Sequence, residues 1–358
     1  MVHFVLVLAV ALTIIGYKNK YVQFLAFMVL LVFATLRYMY GNDYYNYYMW
    51  FEYIKLGGES PFTSEILYTW MNQHLPNFFV LIGIESVLLI FSTYSLIKKN
   101  VPTEYVWISM IIFVFNPYIF LMNLSAVRQS FAMSLFVVAA GFAYRKKYLR
   151  YIILVTVAAL IHKSAWLLMP FCFIINDRPV RPLTCWIILG SVLSVMALDV
   201  LGDVVAWGAG LFEDKNYMHM AEQDVQNSVR ATLLTSLYFV YTLFNLPKLK
   251  GRTLAFAKLY LLSPLLGVLA REVAMLTRLQ MYFDIFSVVV LPMIFVNVQS
   301  RGPVILNRRN PLITFWDCVN KYALPALILI VYALRYYSFS TNPMWASFLR
   351  YYTLFVLL

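Results

Sequence analysis

Residues 21–48 read YVQFLAFMVLLVFATLRYMYGNDYYNYY, and this stretch sets how the whole chain is read. Tyr21 to Leu36 is an uncharged apolar run of the length and character of a membrane span. Arg37 ends it, Gly41-Asn42 turns it, and Asp43 then stands among aromatic residues. From Tyr38 to Tyr53, nine of sixteen residues are aromatic. Tyr44, Tyr47, Tyr48 and Phe51 recur at helical spacing, so a helix here gathers rings on one face. An interfacial Tyr/Trp belt would show the same composition.

Working outward, the 358 residues are 62% apolar and 12% charged, with mean hydropathy +0.74. Soluble domains run at about 45–50% apolar and about 25% charged. The apolar runs are helical in length and lack strict alternation, which argues against a β-barrel. The expected fold is all-α: one polytopic membrane domain over 1–358, with about twelve spans. Met1–Ile15 lacks a basic leader and a small-residue cleavage site, and reads as a retained first span. Cys172, Cys185 and Cys318 sit in apolar runs and suggest neither a disulfide framework nor a metal cluster.

The net charge of +12 is topological rather than a nucleic-acid signature. Sixteen of the 28 Lys and Arg cluster at 18–20, 98–99, 145–150, 178–181, 248–252 and 301–309, between alternate spans. The positive-inside rule places these clusters in the cytoplasm. The spans then fall at 2–17, 21–40, 78–97, 103–122, 127–144, 148–161, 165–177, 182–200, 231–247, 253–270, 278–298 and 311–336, with a last apolar piece at 344–358. Eleven of the 16 acids lie on the opposite side, among them Asp43, Glu65, Asp214 and Glu272. Two long loops on that side, 41–77 and 201–230, carry acids, amides and aromatics, and each has room for a short helix.

One interval resists simple counting. Only 27 residues separate Arg150 from Arg178, yet both belong to cytoplasmic clusters. Two arms of about 13 residues rise about 20 Å each, against about 30 Å of hydrocarbon. The turn Ile161-His162-Lys163-Ser164 therefore lies below the outer surface, where a polar turn must be buried by protein or reached by water. The expectation is an outward-open cavity with His162 and Lys163 at its wall. A single long tilted helix is the alternative.

The remaining cations gather at the same ends of the spans: Arg37, Arg128, Lys163, Arg271 and Arg278. A cation at the membrane edge is costly unless paired or wetted. Guanidinium forks suit phosphate and pyrophosphate, whereas isolated ones snorkel to lipid headgroups. Arg271, Arg278 and Tyr282 share one helix face by spacing, and Gln129 follows Arg128. Aromatic faces beside carboxylates and amides, as at Asp43, Tyr44 and Tyr47, suit the C–H faces and hydroxyls of sugars. No DxD, HExxH, GxSxG or P-loop pattern is present, so neither a metal nor a cofactor is expected.

The pieces RYMYGNDYYNYY, SAVRQSFA, AALIHKSAWLLMP and RLQMYF, in that order, resemble the EpsG-like branch of the Wzy polysaccharide polymerases. The resemblance runs over roughly residues 30–300. It departs at Asn42, where a small residue is usual, and it leaves the last 50 residues unmatched. It implies a GT-C-like inner-membrane glycosyltransferase with its active site facing the periplasm. Such an enzyme joins undecaprenyl-pyrophosphate-linked repeats into O-antigen or capsule-type chains, in the membrane lipid and with a chain-length co-polymerase as partner. An O-antigen ligase and a flippase of lipid-linked sugars are the competing readings. In the expected metal-independent displacement, His162 is the base and Asp43 orients the acceptor, with the exchanged assignment as the alternative. Arg37, Arg128, Lys163, Arg271 and Arg278 are the expected pyrophosphate ligands. Tyr44, Tyr47, Gln129 and Tyr282 are the expected substrate contacts.

Overall fold

A computed structural model describes residues 1–197, 229–269, 275–300 and 318–357. The chain divides into two compact units, Met1–Ile175 with Pro325–Leu358, and Asn176–Leu324.

The first unit opens with a helical hairpin, α1 (Val2–Ile15) and α2 (Lys20–Thr35). Asn19 starts α2 by accepting from the N–H groups of Tyr21 and Val22, at 3.0 and 3.4 Å. After α2 the chain makes a two-residue strand, β1 (Arg37–Tyr38). It then turns at Gly41, whose φ of +80° is a left-handed conformation that glycine adopts without strain. A Cβ at Gly41 would stand 2.5 Å from that of Ser125, so the turn also needs glycine for close approach.

The 41–77 loop holds two short helices, α3 (Tyr44–Lys55) and α4 (Ile66–His74). The long helix α5 (Phe78–Asn100) follows, capped by Asn77, which accepts from Val80 N–H at 3.0 Å. The span expected at 103–122 is broken: α6 (Val106–Phe115) stops before Asn116-Pro117, and a single turn, α7 (Leu121–Ser125), follows. Then come α8 (Val127–Tyr144) and α9 (Tyr148–Ile161).

Beyond α9 the chain folds back as a 3₁₀ helix, Lys163–Phe173, with Pro170 inside it and the Tyr151 hydroxyl donating to the Leu168 carbonyl. At about 1.5 and 2.0 Å per residue the two arms are about 21 and 22 Å long. The pair of short arms expected from the charge clusters is thus present, with His162 at the bend in extended conformation (φ −145°, ψ 111°).

The C-terminal segment closes this unit. Within it α16 (Leu324–Thr341) is followed by a 3₁₀ turn, Pro343–Phe348, and by β2 (Tyr352–Thr353), antiparallel to β1 with Arg37 opposite Thr353. Tyr351 stacks on Phe33 at 4.5 Å and donates to its carbonyl at 2.7 Å. Asn42, the residue that departs from the usual pattern, accepts from the Ser347 hydroxyl and donates to the Met344 carbonyl at 3.3 Å. The 344–358 piece is therefore a strap over the Tyr38–Asn42 turn rather than a further span.

The second unit contains α10 (Pro182–Ala197), α11 (Val229–Asn245), α12 (Gly251–Tyr260), α13 (Leu262–Leu269), α14 (Met275–Asp284) and α15 (Ser287–Gln299). The expected span 278–298 is bent by 50° between α14 and α15. The buried Asp284 accepts from the Ser263 hydroxyl at 3.1 Å.

Among the described residues, three helices are long and apolar enough to cross a membrane: Phe78–Asn100, Val127–Tyr144 and Lys321–Thr341. The bent pair makes a fourth, and five shorter apolar helices accompany them. Among the described residues the fold is all-α apart from two two-residue strands, and the protein is a membrane protein; these helices account for part of the expected count of about twelve spans. The 201–230 loop, with Asp214, falls almost wholly outside the described residues, as does Arg271.

Candidate active site

The expected site residues separate into framework and cluster. Arg37 belongs to the framework. It is fully buried, and its guanidinium meets Glu85 Oε2 at 2.7 Å, Ser86 Oγ at 2.7 Å, the Leu124 carbonyl at 2.9 Å and the Ala34 carbonyl. Glu85 is equally buried and also accepts from the Ser130 hydroxyl. A guanidinium so committed and enclosed is not placed to receive pyrophosphate, which corrects the role expected from its position at the end of α2. Its work is to tie β1, α5, α7 and α8 together beneath the Gly41 turn.

The aromatic face of α3 is corrected in the same way. Tyr44, Tyr47 and Phe51 do share a face, but that face is turned inward. Tyr44 is fully enclosed, its ring edge-on to Phe78 at 5.2 Å and its hydroxyl donating to the Arg37 carbonyl at 3.2 Å. It is unavailable to a sugar. The rings that reach the surface from α3 are Tyr45, Trp50 and Tyr53.

The cluster forms around a residue that the sequence reading had placed only among the outer acids, Glu65. Its side chain is 2% exposed and accepts from three groups. Arg128 Nη1, on the first turn of α8, binds Oε2. His162 Nδ1 lies 2.9 Å from Oε1, and the Lys163 backbone N–H donates to the same oxygen at 3.1 Å. One carboxylate thus joins the Arg-Gln and His-Lys motifs, 34 residues apart in sequence. At this turn His162 is buried, while Lys163 beside it is exposed.

Arg128 is the member nearest solvent, with a side chain 22% exposed. Its Nε donates to the Tyr47 hydroxyl at 3.2 Å, and the guanidinium carbon lies 4.2 Å from the centroid of the Phe62 ring. Among the described residues these bonds use two of its five N–H groups, which leaves donors for an anion. Asp43 is exposed at the start of α3, one turn before Tyr47, and its backbone N–H donates to Ser125 Oγ at 2.9 Å. Lys163 is exposed beside His162, while Gln129 is buried next to Arg128.

Burial would raise the Glu65 carboxyl, but the hydrogen bond from His162 and the Arg128 guanidinium outweigh it and hold it below the usual carboxylate range. Burial pushes the Tyr47 hydroxyl up, against the pull of Arg128, so it stays neutral.

In the second unit, Arg278 is exposed on α14, while Tyr282 is fully buried and is framework there. Among the described residues no three His, Cys, Asp or Glu side chains gather in one place.

Glu65 was hard to find because it lies in a loop without periodicity. The available signal was a single acid set between Phe62 and Tyr68, two rings that approach Arg128.

The sequence model of the EpsG family matches residues 20–306. No curated protein and no solved structure matches the chain.

Proposed function

Since the chain belongs to the EpsG family, the family of Wzy-like polysaccharide polymerases, we propose that it polymerises lipid-linked oligosaccharide repeats at the cluster of Glu65, Arg128 and His162. The donor in this reading is the growing glycan on undecaprenyl pyrophosphate, and the acceptor is a hydroxyl of the incoming repeat. The reaction takes place at the periplasmic face of the inner membrane, with a chain-length co-polymerase as partner. The observation that carries the reading is the convergence of the Arg-Gln and His-Lys motifs on one buried carboxylate.

The chemistry follows from the groups present. The acceptor oxygen attacks the anomeric carbon and His162 takes its proton. The bond to pyrophosphate breaks, and its electron pair leaves on a phosphate oxygen stabilised by Arg128 and Lys163. Single displacement inverts the anomeric centre. Asp43 and the exposed rings of α3 orient the acceptor sugar. Arg271 and Arg278 keep their proposed anion role on their sequence positions alone.

The test is the purified protein with synthetic lipid-linked repeats, resolved on a gel. A ladder of products spaced by one repeat is expected. Transfer only to a lipid A core acceptor would make the protein a ligase. Movement of lipid-linked sugars across a vesicle bilayer without any glycosidic product would make it a flippase.

A further inference from the structure

We infer that Glu65 is the positioning residue of this site: it holds His162 by Nδ1–H, which fixes the tautomer and orientation of the ring, and it supplies the negative charge against which the imidazolium forms. The inference rests on the proposed polymerase reading and extends it to a residue outside the motifs that carry the resemblance.

Hydrogen-bond polarity fixes the tautomer. Glu65 Oε1 accepts from the Lys163 N–H at 3.1 Å, and Oε2 accepts from Arg128. A carboxylate held by these two donors has only acceptor capacity left for His162 Nδ1 at 2.9 Å. The ring must therefore donate from Nδ1, and in the neutral ring Nε2 then carries the lone pair.

Charge gives the second part. Among the described residues, the groups around this ring and its partner include Glu65 from the loop before α4, Arg128 from α8, the Lys163 backbone N–H, the hydroxyls of Tyr47 and Tyr68, and Asp43 beyond Tyr47. When the acceptor proton moves to the ring, a second positive charge appears beside Arg128 on the same carboxylate. Glu65 is the carboxylate in contact with the ring that offsets it. Glu65 itself is a poor base. It is 2% exposed and already carries three donors, each favouring its ionised form.

The experiment uses the full chain in nanodiscs with ¹⁵N-labelled histidine. The sequence has four histidines, and His162→Gln assigns the signal. The wild-type neutral ring should show the Nδ1–H tautomer with a downfield, strongly hydrogen-bonded proton. Glu65→Gln should lose that proton and slow polymerisation by roughly 10–100-fold, with little change in KM. Glu65→Asp, which keeps the charge, should recover part of the rate and gives a readout should the glutamine variant fold poorly. An Nε2–H tautomer in the wild type would overturn the inference. So would a Glu65→Gln ladder at the wild-type rate. If the wild type shows the tautomer but builds no ladder, the polymerase reading fails and the positioning of His162 by Glu65 stands.

Discussion

Removing Glu85 should damage this protein through Arg37 rather than through the substrate. Both side chains are fully enclosed and meet at 2.7 Å. Glu85→Ala strands the guanidinium with Ser86 and two backbone carbonyls as its remaining partners. Breaking a buried pair in this way costs about 3–5 kcal/mol. The Ser130 hydroxyl loses its acceptor as well, adding about 1 kcal/mol. Against a total stability of about 5–15 kcal/mol, that is enough to lower folded yield sharply. Arg37→Met with Glu85→Leu removes both charges at similar volume and should recover most of the loss, since buried pairs replaced by apolar residues are often neutral. The assay is the SDS-unfolding midpoint of the purified protein, with the ladder rate measured beside it. The double variant should unfold near the wild-type midpoint and polymerise within about tenfold of it, a 1.4 kcal/mol allowance. A double variant that folds like the wild type and builds no ladder would refute the reasoning, and would return Arg37 to the substrate.

Further outcomes follow from the same geometry. Because Glu65 is held below its ordinary pKa, its stabilisation is complete above the unfolded value of about 4.3 and is lost as pH falls through the lower folded value. The unfolding midpoint of the wild type should therefore drop more steeply below about pH 4.3 than that of Glu65→Gln, and parallel curves would contradict the assignment. Deleting residues 343–358 removes β2 and uncovers Phe33 and Tyr40, and should cost both monodispersity on size exclusion and ladder formation. Ser347→Ala alone should cost about 1 kcal/mol in the unfolding midpoint. Ladder formation should survive EDTA; activity abolished by EDTA and restored by magnesium would move the chemistry toward the acidic loop residues, starting with Asp214.

Much of the frame was legible in the chain. The ends of α8 and α9 follow from where apolar runs meet Arg145–Arg150, and the short-armed hairpin follows from counting residues between charge clusters. The bend at His162 followed from the same count. What periodicity could not supply was the sense of a face. Tyr44, Tyr47 and Phe51 were correctly placed on one side of α3, but a stripe of rings buries itself as readily as it greets a ligand, and this one packs on Phe78 and Tyr68. Arg37 was misread for a related reason. Its partner lies 48 residues away on α5, and only the packing of α2 against α5 brings the two together. Glu65 lay in an aperiodic loop. The strap was unreadable because its contacts, Asn42 with Ser347 and Arg37 with Thr353, span some 300 residues and lie beyond the family match.

The central claim is that Arg128 and His162 act as one unit through Glu65, and a double-mutant cycle on the ladder rate tests it most directly. Arg128→Lys, His162→Gln and the double variant are compared with the wild type at saturating lipid-linked repeat. Arg128→Lys removes a bidentate fork while keeping the charge, and a loss of about 2.7–4 kcal/mol in activation free energy is expected. If the two residues serve one transition state on a shared carboxylate, the double variant should be scarcely slower than the worse single one. Losses that simply multiply, or two single variants polymerising at the wild-type rate, would contradict the account.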